Sequence, residues 1–111
     1  REPQWTDGVE KEFWIWERPI EGHQYILGSD VSRGDGEDTS VITIIDTTTM
    51  TQVMEYQGKV QPDILAEYIY EYGNAVYGVD SLFDKRQVEP GKEIIFYSRN
   101  TIPTVLFFQI F

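Results

Sequence analysis

The sequence predicts an α/β fold: a mixed sheet made of an antiparallel three-strand meander, a crossover helix and a parallel fourth strand. Three observations predict it. Strand-like runs at Tyr25–Val31, Ser40–Ile45 and Thr51–Tyr56 are separated by turn-forming stretches, which suits consecutive antiparallel pairing. Ile64, Leu65, Tyr68, Ile69 and Tyr72 then recur at helical spacing. A short apolar run, Ala75–Asp80, follows at once, and a strand reached through a helical crossover returns parallel to its neighbour.

Each element has a local reason. Residues 1–11 read as a polar lead-in carrying Pro3. Glu12–Trp16 is aromatic and β-branched and stops before Pro19, which marks a short strand. Ser32–Asp38 (Ser-Arg-Gly-Asp-Gly-Glu-Asp) is a loop. Ser40–Ile45 is nearly continuous in β-branched residues, so burial on both faces is expected. Asp46–Met50 is a threonine-rich turn, and the alternation of Thr51–Tyr56 suggests a more exposed strand. Pro62 suits a first helical position and Asp63 complements the helix N-terminus, while Gly73-Asn74 is a stop signal; the expected helix is Pro62–Tyr72. Ser81–Pro90 reads as a charged loop and Glu93–Ser98 as a fifth strand. Thr101–Phe111 is strongly apolar and suits either a strand or an amphipathic helix that needs covering. The expected organisation is a single, partial domain: lead-in 1–11, core 12–80 and a divergent end 81–111. A chain opening on Arg1 and stopping on Gln-Ile-Phe is expected to be a piece of something longer.

Composition narrows the chemistry. At 111 residues, 41% hydrophobic and 14% aromatic, the chain is a folded domain rather than a disordered or low-complexity segment. The absence of cysteine excludes a disulfide scaffold, a thiolate zinc site and a cysteine nucleophile. One histidine, His23, argues against a histidine metal site or a Ser/His/Asp triad, and reads as a surface residue without a role. No apolar run approaches the ~18 residues a membrane span needs. Nineteen acids against nine bases give a net charge of −10. That argues against a free-standing nucleic-acid binder and suits divalent-cation sites, a basic partner or solubility.

Two aspartates stand at the carboxyl ends of expected strands: Asp30 after Tyr25–Ser29, and Asp80 after Ala75–Val79. Each follows a glycine by two residues, and by strand alternation Asp30 shares a face with Gly28 and Ile26. Were these strands parallel neighbours, both carboxylates would meet at the sheet edge where open α/β sheets bind ligands. Facing carboxylates repel unless a proton or cation lies between them, and oxygen-only ligation favours Mg²⁺ or Mn²⁺. Such ions activate water against a phosphodiester. The plainer alternative, a turn-forming or capping role for each Asp, stays open. Asp38 either approaches such a metal or fixes its turn. The acidic glycine loop at 34–38 fits neither an EF-hand, because strands flank it, nor a phosphate loop, because no helix follows. Phe13, Trp14 and Trp16 read as core or as a cover over the sheet rather than as base-stacking residues.

The runs Trp14-Ile-Trp-Glu-Arg-Pro19 and Gly22–Asp38, with its Asp-x-x-x-Gly-x-Gly-x-Asp spacing, resemble the nuclease domain of tailed-phage terminase large subunits. So do Glu55–Asp63, with Tyr-x-Gly-Lys-x-x-Pro-Asp, and Tyr72-Gly-Asn74. The similarity covers about residues 10–80. It implies an RNase H-like fold and metal-dependent endonucleolytic cutting of concatemeric DNA during genome packaging. It also implies a two-metal Mg²⁺ or Mn²⁺ site on Asp30 and Asp80, with Asp38 nearby. Double-stranded DNA, an ATPase domain, a portal and a small terminase subunit are the implied partners, and the host cytoplasm the implied location. The family's third acid, at the start of a C-terminal helix, has no match here; Asp84, Glu89 and Glu93 are possible substitutes, and little activity is expected of this chain. Two rival expectations are a non-catalytic acidic interaction module derived from a terminase and another RNase H-like nuclease such as a junction resolvase.

Overall fold

The computed structural model describes residues 1–8, 11–32, 39–79 and 84–97. Six strands form one sheet: β1 (Trp5–Asp7), β2 (Phe13–Ile15), β3 (Tyr25–Asp30), β4 (Ser40–Asp46), β5 (Thr51–Gly58) and β6 (Glu93–Tyr97), in the order β1-β2-β5-β4-β3-β6. Every described pairing is antiparallel. One helix, α1 (Pro62–Tyr68), runs on into a π-helical segment, Ile69–Val76. No helix among the described residues is long and apolar enough to cross a membrane.

Ile26 and Gly28 of β3 are buried on one face of the sheet, but the main core cluster lies on the other. Leu27, Ile42, Ile44, Met54 and Tyr56 are fully buried there together with Leu65 and Ile69. β4 alternates: Ile42 and Ile44 are buried, whereas Val41, Thr43 and Ile45 are only half-buried, so the expectation of burial on both faces is corrected. β5 breaks alternation through a bulge opposite Ile44/Ile45, which buries the consecutive residues Val53 and Met54. This strand is consequently more buried than its pattern suggested. α1 starts at Pro62 as expected, and Leu65, Ile69 and Tyr72 face the core, but Ile64 is exposed.

The expected mixed sheet is not what forms. The meander β3-β4-β5 is present, but the other edge of β3 carries β6, antiparallel, from Ile26↔Tyr97 to Asp30↔Glu93. The Val31 N–H extends this ladder to Lys92 O (2.8 Å), and Gly91 N–H donates to Val31 O (2.8 Å). No parallel strand and no crossover into one exist among the described residues. The run meant to supply that strand is wound up instead. Gly73-Asn74 does not stop the helix; Tyr77 N–H reaches back five residues to Tyr72 O (3.0 Å), and Val79 N–H reaches Gly73 O (2.6 Å). Gly73 is needed here because a Cβ would sit 2.8 Å from Cδ1 of buried Leu27. An RNase H-like architecture is therefore overturned in favour of an antiparallel sheet with one short helix.

The lead-in is structured as well. Trp5–Asp7 pairs with Phe13–Ile15 to form a hairpin whose return passes through Gly8 (φ 92°) and Lys11 (φ 58°). The Asp7-Gly8 dipeptide is a turn signal that the polarity of the segment obscured. Within Ser81–Pro90, residues Lys85–Gln87 make a 3₁₀ turn capped by Asp84. The end of the expected fifth strand at Ser98, and the whole of Thr101–Phe111, lie outside the described residues.

Candidate functional site

Asp30 is the last residue of β3, and hydrogen bonds fix the backbone around it. Ser29 Oγ donates to Val41 O (2.9 Å), and Ser32 N–H donates to Ser40 Oγ (2.9 Å). These bonds tie the strand exit to β4, while the Val31 bonds tie it to β6. Alternation turns Asp30 away from the helix-bearing face, and its side chain is exposed. Directly across the ladder stands Glu93, also exposed. Facing positions in an antiparallel pair bring Cβ atoms to roughly 4.5–5.5 Å, so the two carboxylates share one patch of surface.

The register continues across the sheet. Asp30 faces Val41, and Val41 faces Gln57, so Gln57, Val41, Asp30 and Glu93 form one row on the helix-free face. The adjacent row holds Trp14, Glu55, Thr43 and Gly28. At the β2–β5 end of these rows lies a cleft of about 500 Å³, lined among others by Lys11, Trp14, Thr39, Glu55, Gln57 and Lys59. Gln57 Nε2 donates to Thr39 Oγ1 (3.2 Å) across its rim.

At the β6 end a shallow hollow is lined by Asp84, Arg86, Lys92 and Glu93. Its bases are paired: Arg86 with Asp84 (2.6 Å) and Lys92 with Glu89 (2.8 Å). The Arg86 side chain and backbone N–H hold the Asp84 carboxyl down to about 2. Among the substitutes weighed from the sequence, Asp84 and Glu89 are thus engaged with bases, whereas Glu93 stands across from Asp30.

Asp30 is the one expected site residue that can be placed. Asp38 and Asp80, and most of the acidic loop, lie outside the described residues. The parallel pairing expected to bring Asp80 to Asp30 is absent, because both neighbours of β3 are antiparallel. Val79, immediately before Asp80, is buried in the same core cluster as Val31, immediately after Asp30. Among the described residues no group of three Asp, Glu or His side chains gathers as a metal site.

A second polar constellation sits at the opposite end of β3 and β4. His23 Nδ1 is 2.6 Å from Oδ2 of Asp46, whose side chain is wholly buried. Oδ1 of Asp46 accepts from Thr48 N–H (2.9 Å) and Thr49 N–H (3.3 Å). A carboxylate only accepts, so Nδ1–H is the donor of this bond. The reading of His23 as a residue without a role is corrected: it ties the entry of β3 to the β4–β5 turn. The only sequence hint was an Asp opening a run of threonines. Phe13 and Trp16 are core residues, whereas Trp14 is 42% exposed, a distinction that three adjacent aromatic positions did not reveal.

An antiparallel sheet with one short helix and an acidic pair at one end is the class that fold and site define. Compared with known families and curated proteins, the chain matches no family model and no curated protein.

Proposed function

We propose that the chain is a metal-dependent endonuclease module of the terminase large-subunit type, acting on double-stranded DNA. One observation carries the reading: an exposed carboxylate at a strand exit, Asp30, with a second, Glu93, directly across the ladder. The motif spacing around Asp30 supports it independently. The reading rests on these residues and not on the fold, since unrelated folds host the same chemistry.

The donor set fits Mg²⁺ or Mn²⁺, because carboxylate oxygens without thiolates are what hard cations take. Asp30 and Glu93 would hold the ion, with Asp80 and Asp38 as the motif's further acids. When bound, the ion supplies an acidified water and stabilises charge on a phosphate. The chain's own contribution is positional: the Ser29, Val31 and Ser32 hydrogen bonds fix the strand exit, so Asp30 is presented by ladder backbone rather than by a loop. In a packaging assembly the module would work in the host cytoplasm beside an ATPase domain, a portal and a small terminase subunit.

A second reading, a non-catalytic acidic interaction module, is favoured by the pairing of Lys85, Arg86 and Lys92 with acids, which leaves these three bases little to offer phosphates. Titration with Mn²⁺ separates the two. The nuclease reading expects a rise in Tm, paramagnetic broadening centred on Asp30 and Glu93, and Mn²⁺-dependent plasmid nicking, each lost in Asp30→Asn. No rise in Tm and no broadening would overturn it and leave the interaction module.

A further inference from the structure

The cleft at the β2–β5 end of the sheet has chemistry that the acid pair does not use. Trp14, 42% exposed, forms one wall. Its direct cross-strand neighbour is Glu55, a half-buried carboxylate with no hydrogen bond or ion pair among the described residues. Lys11 lines the same space, held in the left-handed region at φ 58°. A lysine gains nothing intrinsic from that conformation, which is strained for a side chain with a Cβ. It is kept there by local hydrogen bonds: Trp14 Nε1 donates to Lys11 O (3.1 Å), and Lys11 N–H donates to Gly8 O (3.2 Å). The indole of Trp14 and the backbone of Lys11 are thus positioned by each other.

An exposed indole, a carboxylate unpaired among the described residues and an ammonium group around about 500 Å³ suit one ligand class. The flat apolar wall stacks a planar ring. The carboxylate accepts from an exocyclic amine, as Glu and Asp do from cytosine N4. The ammonium group meets a phosphate. We propose that this cleft is a nucleotide subsite, taking a base that carries an exocyclic amine, with the base against Trp14, its amine on Glu55 and its phosphate toward Lys11. The proposal rests on the nuclease reading for its choice of ligand. Glu55 and Asp30 lie on the same sheet face, two strands and one row apart, on the order of 12 Å by strand spacing. A strand held in the cleft would therefore lead toward the acid pair. A basic side chain from a partner protein also matches Trp14 and Glu55; with two acids, Glu12 and Glu55, and two bases, Lys11 and Lys59, lining the cleft, net charge does not separate the two occupants, and titration with an arginine-rich peptide does.

The test is calorimetric titration of the full chain, in EDTA, with dCMP, dGMP and dTMP, followed in parallel by tryptophan fluorescence. Expected are quenching on binding and about tenfold tighter binding of dCMP and dGMP than of dTMP. Glu55→Gln should remove that preference. Lys11→Gly should weaken all three nucleotides while leaving the unfolding midpoint unchanged or higher, because glycine relieves the positive φ. Trp14→Leu should abolish quenching. Asp30→Asn should change none of this, so loss of metal binding and loss of nucleotide binding are separate results. No binding at millimolar nucleotide, equal affinity for the three, or a preference that survives Glu55→Gln overturns the proposal. So does quenching by an arginine-rich peptide but by no nucleotide.

Discussion

The Tyr72 hydroxyl donates to the Asp7 carboxylate, joining the π-helical segment to the first strand across 65 residues of sequence. This bond is the largest cause holding the Asp7 carboxyl below its ordinary value, with the Gly8 N–H adding to it. A carboxyl depressed in the folded state contributes stability that is present above its unfolded pKa of 3.8 and is lost as pH falls through the folded value. Tyr72→Phe should therefore cost about 1 kcal/mol at pH 7, the usual worth of such a bond. The gap from wild type should narrow as denaturation is repeated at pH 4, 3 and 2. A gap independent of pH would mean that the hydroxyl does not act through the Asp7 carboxylate.

At the alkaline end the phenols decide. Burial pushes Tyr56 up to about 12 and raises Tyr77 and Tyr72 above the ordinary value of 10, with Asp7 adding to the shift of Tyr72. The native state then keeps protons that the unfolded chain releases. This stability is complete below pH 10 and is lost as pH rises through the folded values. Urea titrations should show a steep fall in stability above pH 10. Tyr77→Phe loses the hydrogen bond to Glu17 O (2.7 Å), about 1 kcal/mol at pH 7, but should flatten the alkaline fall. An unchanged slope in Tyr77→Phe would remove that residue from the account.

Asp46 is buried, with its carboxylate taking two backbone N–H groups and His23. Asp46→Ala leaves those donors without an acceptor in a turn that also requires Met50 at φ 59°. The expected loss is about 2–3 kcal/mol, against about 1 kcal/mol or less for Asp46→Asn, which keeps one oxygen for the turn amides. Equal losses in the two variants, measured by urea denaturation, would shift the weight from the turn amides to the contact with His23.

These tests also mark where the sequence was legible. β3, β4 and β5 could be read because their apolar runs and the turns between them are local signals, and Pro62 announces its own helix. What could not be read is which segment takes the far edge of β3. Ala75–Asp80 and Glu93–Tyr97 are both short and apolar, and the choice depends on Leu27, against which Gly73 packs, and on the Val31 bonds to Gly91 and Lys92. Those are long-range contacts with no periodic trace. The same applies to the site. Asp30 stood out because an acid ends an apolar strand, but Glu93 begins its strand unremarkably and gains a partner only through register. His23 and Asp46, 23 residues apart, meet only once the hairpin closes.

The facing carboxylates of Asp30 and Glu93 make a prediction of their own. Like charges directly opposite in an antiparallel pair are destabilising, by roughly 0.2–1 kcal/mol, and solvent exposure keeps the figure at the low end. Asp30→Asn in EDTA should therefore raise the unfolding midpoint slightly. Millimolar Mg²⁺ should reverse the order, because wild type gains a ligand that binds only the folded state and the variant does not. High salt without divalent ions should erase the difference rather than reverse it, since screening weakens repulsion without creating a binding site. If Mg²⁺ and an equal ionic strength of NaCl act alike on both proteins, the pair is only a repulsive contact on an acidic surface, and the interaction-module reading accounts for Asp30 better than the nuclease does.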